Sequence, residues 1–416
     1  MQLEKYSMGM GDRFAHQGRA QLQAIARAKS EGIDVVPVWN KSHREHLATK
    51  SVPGSVRTEA DQAVQALSWE ESYYVDADHI GLQTVDLFMD SSDFFTIDVA
   101  DAIGQAAAKD DLKAFVERHE QYIGVLEIPG ICEPFETSRQ QVEGIAHQFL
   151  RAVREAGSIY RRIEAAKGLD GFVAEVSMDE TDRPQTPVEL FFILAAIADE
   201  GIVLQTIAPK FTGRFNKGVN YVGDVDQFSV EFEEDMAVIA YAVQRFGLPA
   251  NLKLSVHSGS DKFSIYEPMR RAMRKFDAGV HLKTAGTTWL EELIGLALAG
   301  GEGLALAREI YSVSLGRFDE LCGPYWAVID IDRSALPSPE VLSSWSGDTF
   351  AAALRHDPAC AHYNPHFRQL LHVAYRVAAE MGDRYLEALD QFEAVIAENV
   401  TENMYERHLK RVFFGK

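Results

Sequence analysis

The chain has 416 residues, of which 46% are hydrophobic and 25% charged, and 62 acidic against 41 basic side chains give a net charge of −21. That composition is ordinary for a globular protein, and the acidic surplus argues against nucleic acid or an anionic membrane surface as partner, since both need a basic patch. The length suits a barrel with an appended part better than one small core, and no apolar run reaches a membrane span, the longest being Leu190–Ala198.

Apolar, β-branched runs bounded by polar residues or glycine predict eight strands before residue 290. They are Leu3–Met8, Val35–Trp39, Tyr73–Val75, Phe94–Ile97, Phe172–Val176, Ile202–Ile207, Leu252–Val256 and Val280–Lys283. Helix-period stretches follow most of them: Phe14–Lys29, Glu189–Asp199, Phe228–Phe246, Ile265–Phe276 and Trp289–Ala307. Alternating strand and helix implies a parallel sheet, and eight units over this length fit an α/β (β/α)8 TIM-type barrel. Between the fourth and fifth strands, residues 99–170 are rich in helix formers and contain Pro129-Gly130 and Pro134. They read as a helical insertion or lid. The expected division is a catalytic barrel over 1–312 and a mostly helical extension over 313–416. That extension holds a strand-like Trp326–Ile331, a helical Phe367–Asn399, and histidines at 356, 362, 366 and 372. His362 and His366 have a metal-compatible i, i+4 spacing, but Pro365 between them breaks a continuous helix. The cluster is a candidate for closing the pocket or for a contact within a homo-oligomer.

In such a barrel the active site gathers at the carboxyl ends of the strands. Polar residues fall there: Asp12, Asn40, Asp78, His79, Asp98, Glu175, Gln205, His257, His281 and Lys283. Asp76-Ala77-Asp78-His79 closes the third strand, and His257-Ser258-Gly259-Ser260 follows the seventh. An acid beside one histidine and a second histidine at a small-residue turn are parts of a metal-assisted carbonyl site. Lys210, Arg214 and Lys217 after the sixth strand, Lys262 after the seventh and Lys283 on the eighth could offset the acidic field and bind an anionic substrate. Dinucleotide and phosphate loops are missing: Gly9-Met10-Gly11 lacks a third glycine and Gly300-Gly301-Glu302-Gly303 follows a helix-like run. No nicotinamide cofactor is therefore expected, and no Gly-x-Ser-x-Gly elbow supports serine hydrolysis. Cys132, Cys322 and Cys360 form neither a disulfide framework nor a Cys-x-x-Cys site, and the amino terminus shows no apolar signal region. A cytoplasmic enzyme is the expectation.

Long stretches of the chain resemble the tagaturonate epimerase family, which interconverts tagaturonate and fructuronate. They include Gly9–His16, Trp39–Ser42, Val75–His79, Ile207–Gly218, Ser255–Ile265, Gly279–Thr288 and His362–His372. A fainter likeness is to zinc-dependent class II aldolases. It implies Asp78 as acid/base, His79 and His257 as ligands of a divalent metal, and an anion pocket at Ser258 and Ser260. Aldolases carry a further histidine on the sixth strand, where Gln205–Lys210 has none. The third ligand is then Glu175, Gln205 or His281, with Glu175 ranked first. Zinc is favoured, while manganese, nickel and iron also suit histidine and carboxylate.

The two resemblances imply one chemistry. The two ketohexuronates differ at carbon 4, which is β to the ketone and not itself acidic, so enolisation cannot invert it. Retro-aldol cleavage and re-addition can, with an acid/base handling the hydroxyl proton. Asp78 is assigned one such role and Glu175 or Asp98 the other, although Asp76 shares the face of Asp78. Lys210, Arg214, Ser260, Lys262 and Lys283 are expected to hold the small-molecule substrate. Two rival readings are an aldolase or lyase acting on a uronate or sugar phosphate, and a non-catalytic sugar-acid-binding barrel.

Overall fold

The computed structural model describes residues 1–284 and 286–414. Eight strands close a parallel barrel in chain order: β1 (Tyr6–Gly11), β2 (Val36–Ser42), β3 (Tyr74–Ile80), β4 (Phe94–Asp98), β5 (Val173–Ser177), β6 (Leu204–Ala208), β7 (Lys253–His257) and β8 (Val280–Lys283). β8 returns to β1 with Tyr6 opposite Val280 and Gly9 opposite Lys283. Each predicted strand has its counterpart. The signal was strong because a barrel strand is buried on both faces, so it reads as an apolar run.

The inside of the barrel is divided by height. Leu3, Val36, Val38, Tyr74, Phe94 and Val173 form a separate apolar plug towards the amino ends of the strands. Above it the inward positions turn polar: Ser7, Asp76, Thr96, Glu175, Thr206, Ser255 and His281 are buried. Successive strand residues face opposite sides, so one sequence supplies helix-facing valines and leucines and an ionic interior at alternate positions. Helix starts are fixed locally. Thr186 and Glu189 form a capping box before Pro187–Asp199, with Pro187 in the first turn, and Asp224 caps Val225–Phe246.

Residues 99–170 hold a helix at Lys109–Arg118, a two-stranded hairpin of Gly124–Leu126 with Phe135–Thr137, and a helix at Arg139–Lys167. The long helix lies against Pro187–Asp199, in which Val188 to Ile197 are all buried. That double cover explains why Leu190–Ala198 is apolar all round. Among the described residues no helix is long and apolar enough to cross a membrane. Gly130, in the hairpin turn, sits against Phe276 and Ala237. Phe276 ends the helix that leads into β8, so this turn lies near the amino-end rim and does not cover the mouth.

Three expectations for the carboxyl-terminal part are corrected. Trp289–Ala307 is two helices, Thr287–Ala299 and Gly301–Gly316, because Gly300 and Gly301 both take positive φ, +71° and +46°. Trp326–Ile331 is not a strand: Pro324 opens a 3-10 turn over Gly323–Val328. Phe367–Asn399 is four helices, Pro365–Val373, Tyr375–Glu380, Asp383–Gln391 and Glu393–Glu402, with Gly382 at φ +58° making one of the breaks. These pieces wrap Thr287–Ala299, whose Trp289, Leu293, Ile294 and Leu296 join Ile310, Phe350, Phe367, Leu371 and Ile396 in a second core. The contact is close: a methyl group on Gly295 would lie 2.6 Å from the Ile396 backbone. Gly295→Ala is expected to destabilise the protein by about 1–3 kcal/mol through overpacking, measured by denaturant unfolding.

Candidate active site

Lys283 is the centre of the polar interior. Its ammonium is 2.7 Å from Asp76 Oδ2, 2.8 Å from Asp78 Oδ1 and 3.2 Å from Glu175 Oε1, and it donates to Thr96 Oγ1 at 2.5 Å. Thr96 Oγ1 also donates to Asp76 at 3.0 Å, and Thr206 Oγ1 donates to Glu175 Oε2 at 2.8 Å. Gly9 makes room for this cluster, because a methyl group there would lie 2.7 Å from both Lys283 Cγ and Asn40 Nδ2. Burial pushes Asp76 up to about 7 against the pull of Lys283. Burial also works to raise Asp78, but Lys283, then His79 and His257, overcome it and hold Asp78 down at about 2. Asp76 lies under the lysine with its side chain fully covered, whereas the Asp78 side chain is 10% exposed towards the mouth.

His79 owes its position to a backbone distortion. By strict alternation, Asp76 and Asp78 face the lumen and the next residue faces the helices. At His79, however, φ is +50°, and the β3–β4 register shifts between Ala77 and Ile80. A residue other than glycine does not adopt this freely, and such strain marks places where a side chain is re-aimed. The imidazole then meets Asp98, with Nδ1 2.7 Å from Oδ2, while Nε2 is 3.9 Å from Asp78 Oδ1. His257 is held in the same way, its Nε2 2.8 Å from Glu175 Oε1. Its Nδ1 is 3.2 Å from Asp179 Oδ2 but lacks hydrogen-bond geometry, leaving a buried ring nitrogen unsatisfied. The two rings are 5.1 Å apart, edge to face. Burial opposes their protonation, yet Asp78 and the Asp98 hydrogen bond raise His79 to about 10, and Asp179 chiefly raises His257 to about 9.

Single ligand atoms of His79, Asp179 and His257 all lie within 4.8 Å of one another. These three residues could hold a divalent cation. Each imidazole has its other nitrogen fixed by a carboxylate, the usual way a ligating histidine is oriented. Asp179 was not found from the sequence, although a signal was there. Glu175, Ser177 and Asp179 continue the inward period of two past the end of β5, and Ser177 Oγ bonds Asp179. Burial works against the charge on Asp179, but His257 and His79 hold it well below the usual carboxylate range. A second group of His79, Asp98 and Glu180 lies at the rim, where Glu180 pairs with Arg44 at 2.7 Å.

The other predicted residues go elsewhere. Glu175 faces His257 and Lys283 and lies outside both groups that could hold a cation. Gln205 is at the opposite end of the barrel, its Oε1 accepting from the Leu3 amide and from Asn251 Nδ2, both at 2.7 Å. His281 lies one layer below the site, 2.9 Å from Ser7 Oγ and against Phe94, and burial pushes it down to about 3. Lys210 donates to the Thr181 carbonyl and Arg214 to the Ile329 carbonyl. Ser258 Oγ donates to the Lys283 carbonyl at 2.6 Å. Ser260 Oγ accepts from the Gly218 amide and from Lys262 Nζ, each at 3.0 Å, and burial pushes Lys262 down to about 7. The four histidines of the extension do not converge. His366 Nδ1 accepts from the Asp332 amide, His356 meets Asp261, and Pro365 opens a helix that leaves His362 outside it.

The tagaturonate epimerase family model matches residues 1–412. A tagaturonate/fructuronate epimerase from Thermotoga maritima is 28% identical over 423 residues, which cover 97% of this chain and 79% of that protein. The native fructuronate-tagaturonate epimerase from Cohnella laeviribosi shares the fold with a TM-score of 0.80 at 22% identity, over 99% of this chain and 82% of that one. Its complex with two glycerols gives 0.80 at 23% identity, over 98% and 81%.

Removing the central cation should leave buried acids uncompensated. Lys283→Met is expected to cost about 3–5 kcal/mol of stability, read from denaturant midpoints. For cation binding, Asp179→Asn and Glu175→Gln are to be compared by metal content after dialysis against a chosen ion. Glu175→Gln should weaken retention about 10–100-fold, as for loss of an orienting partner, and Asp179→Asn should weaken it more.

Proposed function

This chain belongs to the tagaturonate epimerase family and is an isomerase, and we propose that it interconverts D-tagaturonate and D-fructuronate at carbon 4, with a divalent ion at the barrel mouth. The observation that carries the metal reading is the convergence of His79, Asp179 and His257 on one space. The donor chemistry fits. Two imidazoles and a carboxylate suit zinc, manganese, nickel or iron. The surroundings hold Asp76, Asp78, Asp98, Glu175 and Asp179 against one lysine, a field that favours any added cation. When bound, such an ion supplies Lewis-acid charge at the substrate ketone.

The remaining work falls to the chain's own groups. Asp78, at the mouth and 2.8 Å from Lys283, takes the proton of the 4-hydroxyl. The bond between carbons 3 and 4 breaks, its electron pair staying with the keto fragment as an enediolate and carbon 4 becoming an aldehyde. The aldehyde turns its carbonyl over, carbon 3 attacks the other face, and the proton returns to the oxygen. Lys283 remains charged throughout, because three buried carboxylates hold its ammonium well above the ordinary lysine range despite burial. Its position lets the charge on Asp78 come and go without leaving a bare ion in the interior. Glu175 and Asp98, each bonded to an imidazole, are assigned to orienting the rings, and Asp76 to anchoring Lys283 beneath the reacting carbons.

Two experiments bear on this. Protein loaded with metal and given tagaturonate in heavy water should form fructuronate without deuterium on carbon, and a chelator should stop it; deuterium at carbon 3 would point to enolisation instead. Asp78→Asn should lower turnover by about 10²–10⁴-fold as loss of an acid/base does. Near-normal turnover in that variant, with loss in Asp76→Asn, would move the role to Asp76.

A further inference from the structure

Cleavage between carbons 3 and 4 gives two three-carbon pieces. The aldehyde piece keeps the substrate's carboxylate and has no bond to its partner while it turns, so an epimerase working this way must hold it by that charge. The cations expected for the purpose are engaged: Lys210 and Arg214 by carbonyls, Lys262 by the Asn216 carbonyl and Ser260, and Lys283 by three acids.

Lys217 stands apart. Its amide donates to the Val328 carbonyl at 2.7 Å, but its ammonium has no ion pair among the described residues and lies over Gly259. A methyl group on Gly259 would touch only Lys217 Nζ, at 3.6 Å, so the cation faces a backbone that carries no side chain. Gly259 holds φ at +65° and is two residues beyond His257, within about 7 Å of it along the chain. Facing the same loop is His372, 2% exposed, whose Nε2 has no hydrogen-bond partner among the described residues. That nitrogen would lie 2.1 Å from a methyl group on Gly286, the uncapped start of helix Thr287–Ala299, whose amino end favours negative charge.

We propose that Lys217 and His372 bind the substrate carboxylate, between the loops after β6 and β7 and the helix Pro365–Val373, and so retain the aldehyde fragment while it rotates. This rests on the cleavage reading above. The local charge balance agrees with it. Nearby, Arg13 is paired with Glu45 at 2.7 Å and Arg368 with Asp261 at 2.7 Å, which leaves Lys217 as a cation without an ion pair among the described residues in a chain of net charge −21. Burial, then the field of Arg13, Lys217, Arg368 and Lys262, pushes His372 well below the ordinary imidazole range, and with its proton on Nε2 the ring donates to an anion. The surrounding framework is also firmly built. Buried Asp261 accepts from Arg368 and meets His356 and His408 at 3.2 and 3.0 Å, and Arg368 donates to the Gly218 carbonyl at 2.5 Å. The carboxyl-terminal helices thereby fix the loops that flank Lys217.

The test uses the full-length, metal-loaded protein with Lys217→Ala, Lys217→Arg and His372→Asn. Lys217→Ala should raise KM for tagaturonate about tenfold or more without moving the thermal midpoint, and Lys217→Arg should recover most of it. Glycerate, which keeps the charge and carbon count of the aldehyde fragment, should inhibit the parent protein and not Lys217→Ala. The alanine variant should also release dihydroxyacetone and the three-carbon aldehyde acid, seen by proton NMR. An unchanged KM and unchanged glycerate inhibition in both Lys217→Ala and His372→Asn would overturn the subsite and leave the epimerase reading standing. A raised KM without released fragments would keep the subsite and overturn its retaining role. Deuterium on carbon 3 in the parent protein would overturn the cleavage reading, and the retaining role with it.

Discussion

One buried lysine decides how this barrel can be filled. Asp76, Asp78 and Glu175 point into a lumen closed below by an apolar plug, and all three are buried. Without Lys283 the three acids would repel one another at close range in a medium of low polarity, where an unpaired charge is costly. With it, each has a partner within 3.2 Å. The ammonium is placed by β8, directly opposite Gly9 on β1 and His257 on β7. The absent side chain at Gly9 is therefore part of the same arrangement as the lysine that occupies its space.

Around this ionic centre the two histidines are set by different means. His257 is where alternation along β7 puts it. His79 reaches the mouth only because β3 abandons regular geometry at its last turn, and the hydrogen bond to Asp98 helps hold the strained residue. In both cases a carboxylate takes one ring nitrogen and leaves the other directed at a shared space. The acids at 98 and 175 thus orient the rings, whereas the acid at 78 faces the mouth itself.

The carboxyl-terminal helices belong to the same mechanism of construction. They bury one barrel helix, Thr287–Ala299, almost completely, and they send Arg368 and His372 inward to the β6, β7 and β8 loops. A bare barrel would leave those glycine-rich loops without support. Here Arg368 joins Gly218 to Asp261, and the loop after His257 is fixed by a salt bridge with no solvent access.

Much was determined by the sequence alone. The eight strands, their order and the gathering of polar residues at their carboxyl ends follow from apolar runs and period-two alternation, which depend only on neighbours along the chain. Asp78 and His257 stand at their strand ends by that alternation, and so does Asp179, two steps beyond Ser177, whereas His79 is turned to the mouth only by the positive φ at its own position. Other features were decided by tertiary structure. Gln205 and His281 lie on barrel strands as Glu175 and His257 do, but at other heights in the barrel, and height depends on how neighbouring strands stagger. Lys210, Arg214 and Lys262 look like free cations in a loop until distant carbonyls, at 181, 329 and 216, accept their hydrogen bonds. The breaks in the terminal helices at Gly300 and Gly382 and the turn at Pro324 show the same limit, because periodicity records which face is apolar and not where the chain must bend to bring that face onto its partner.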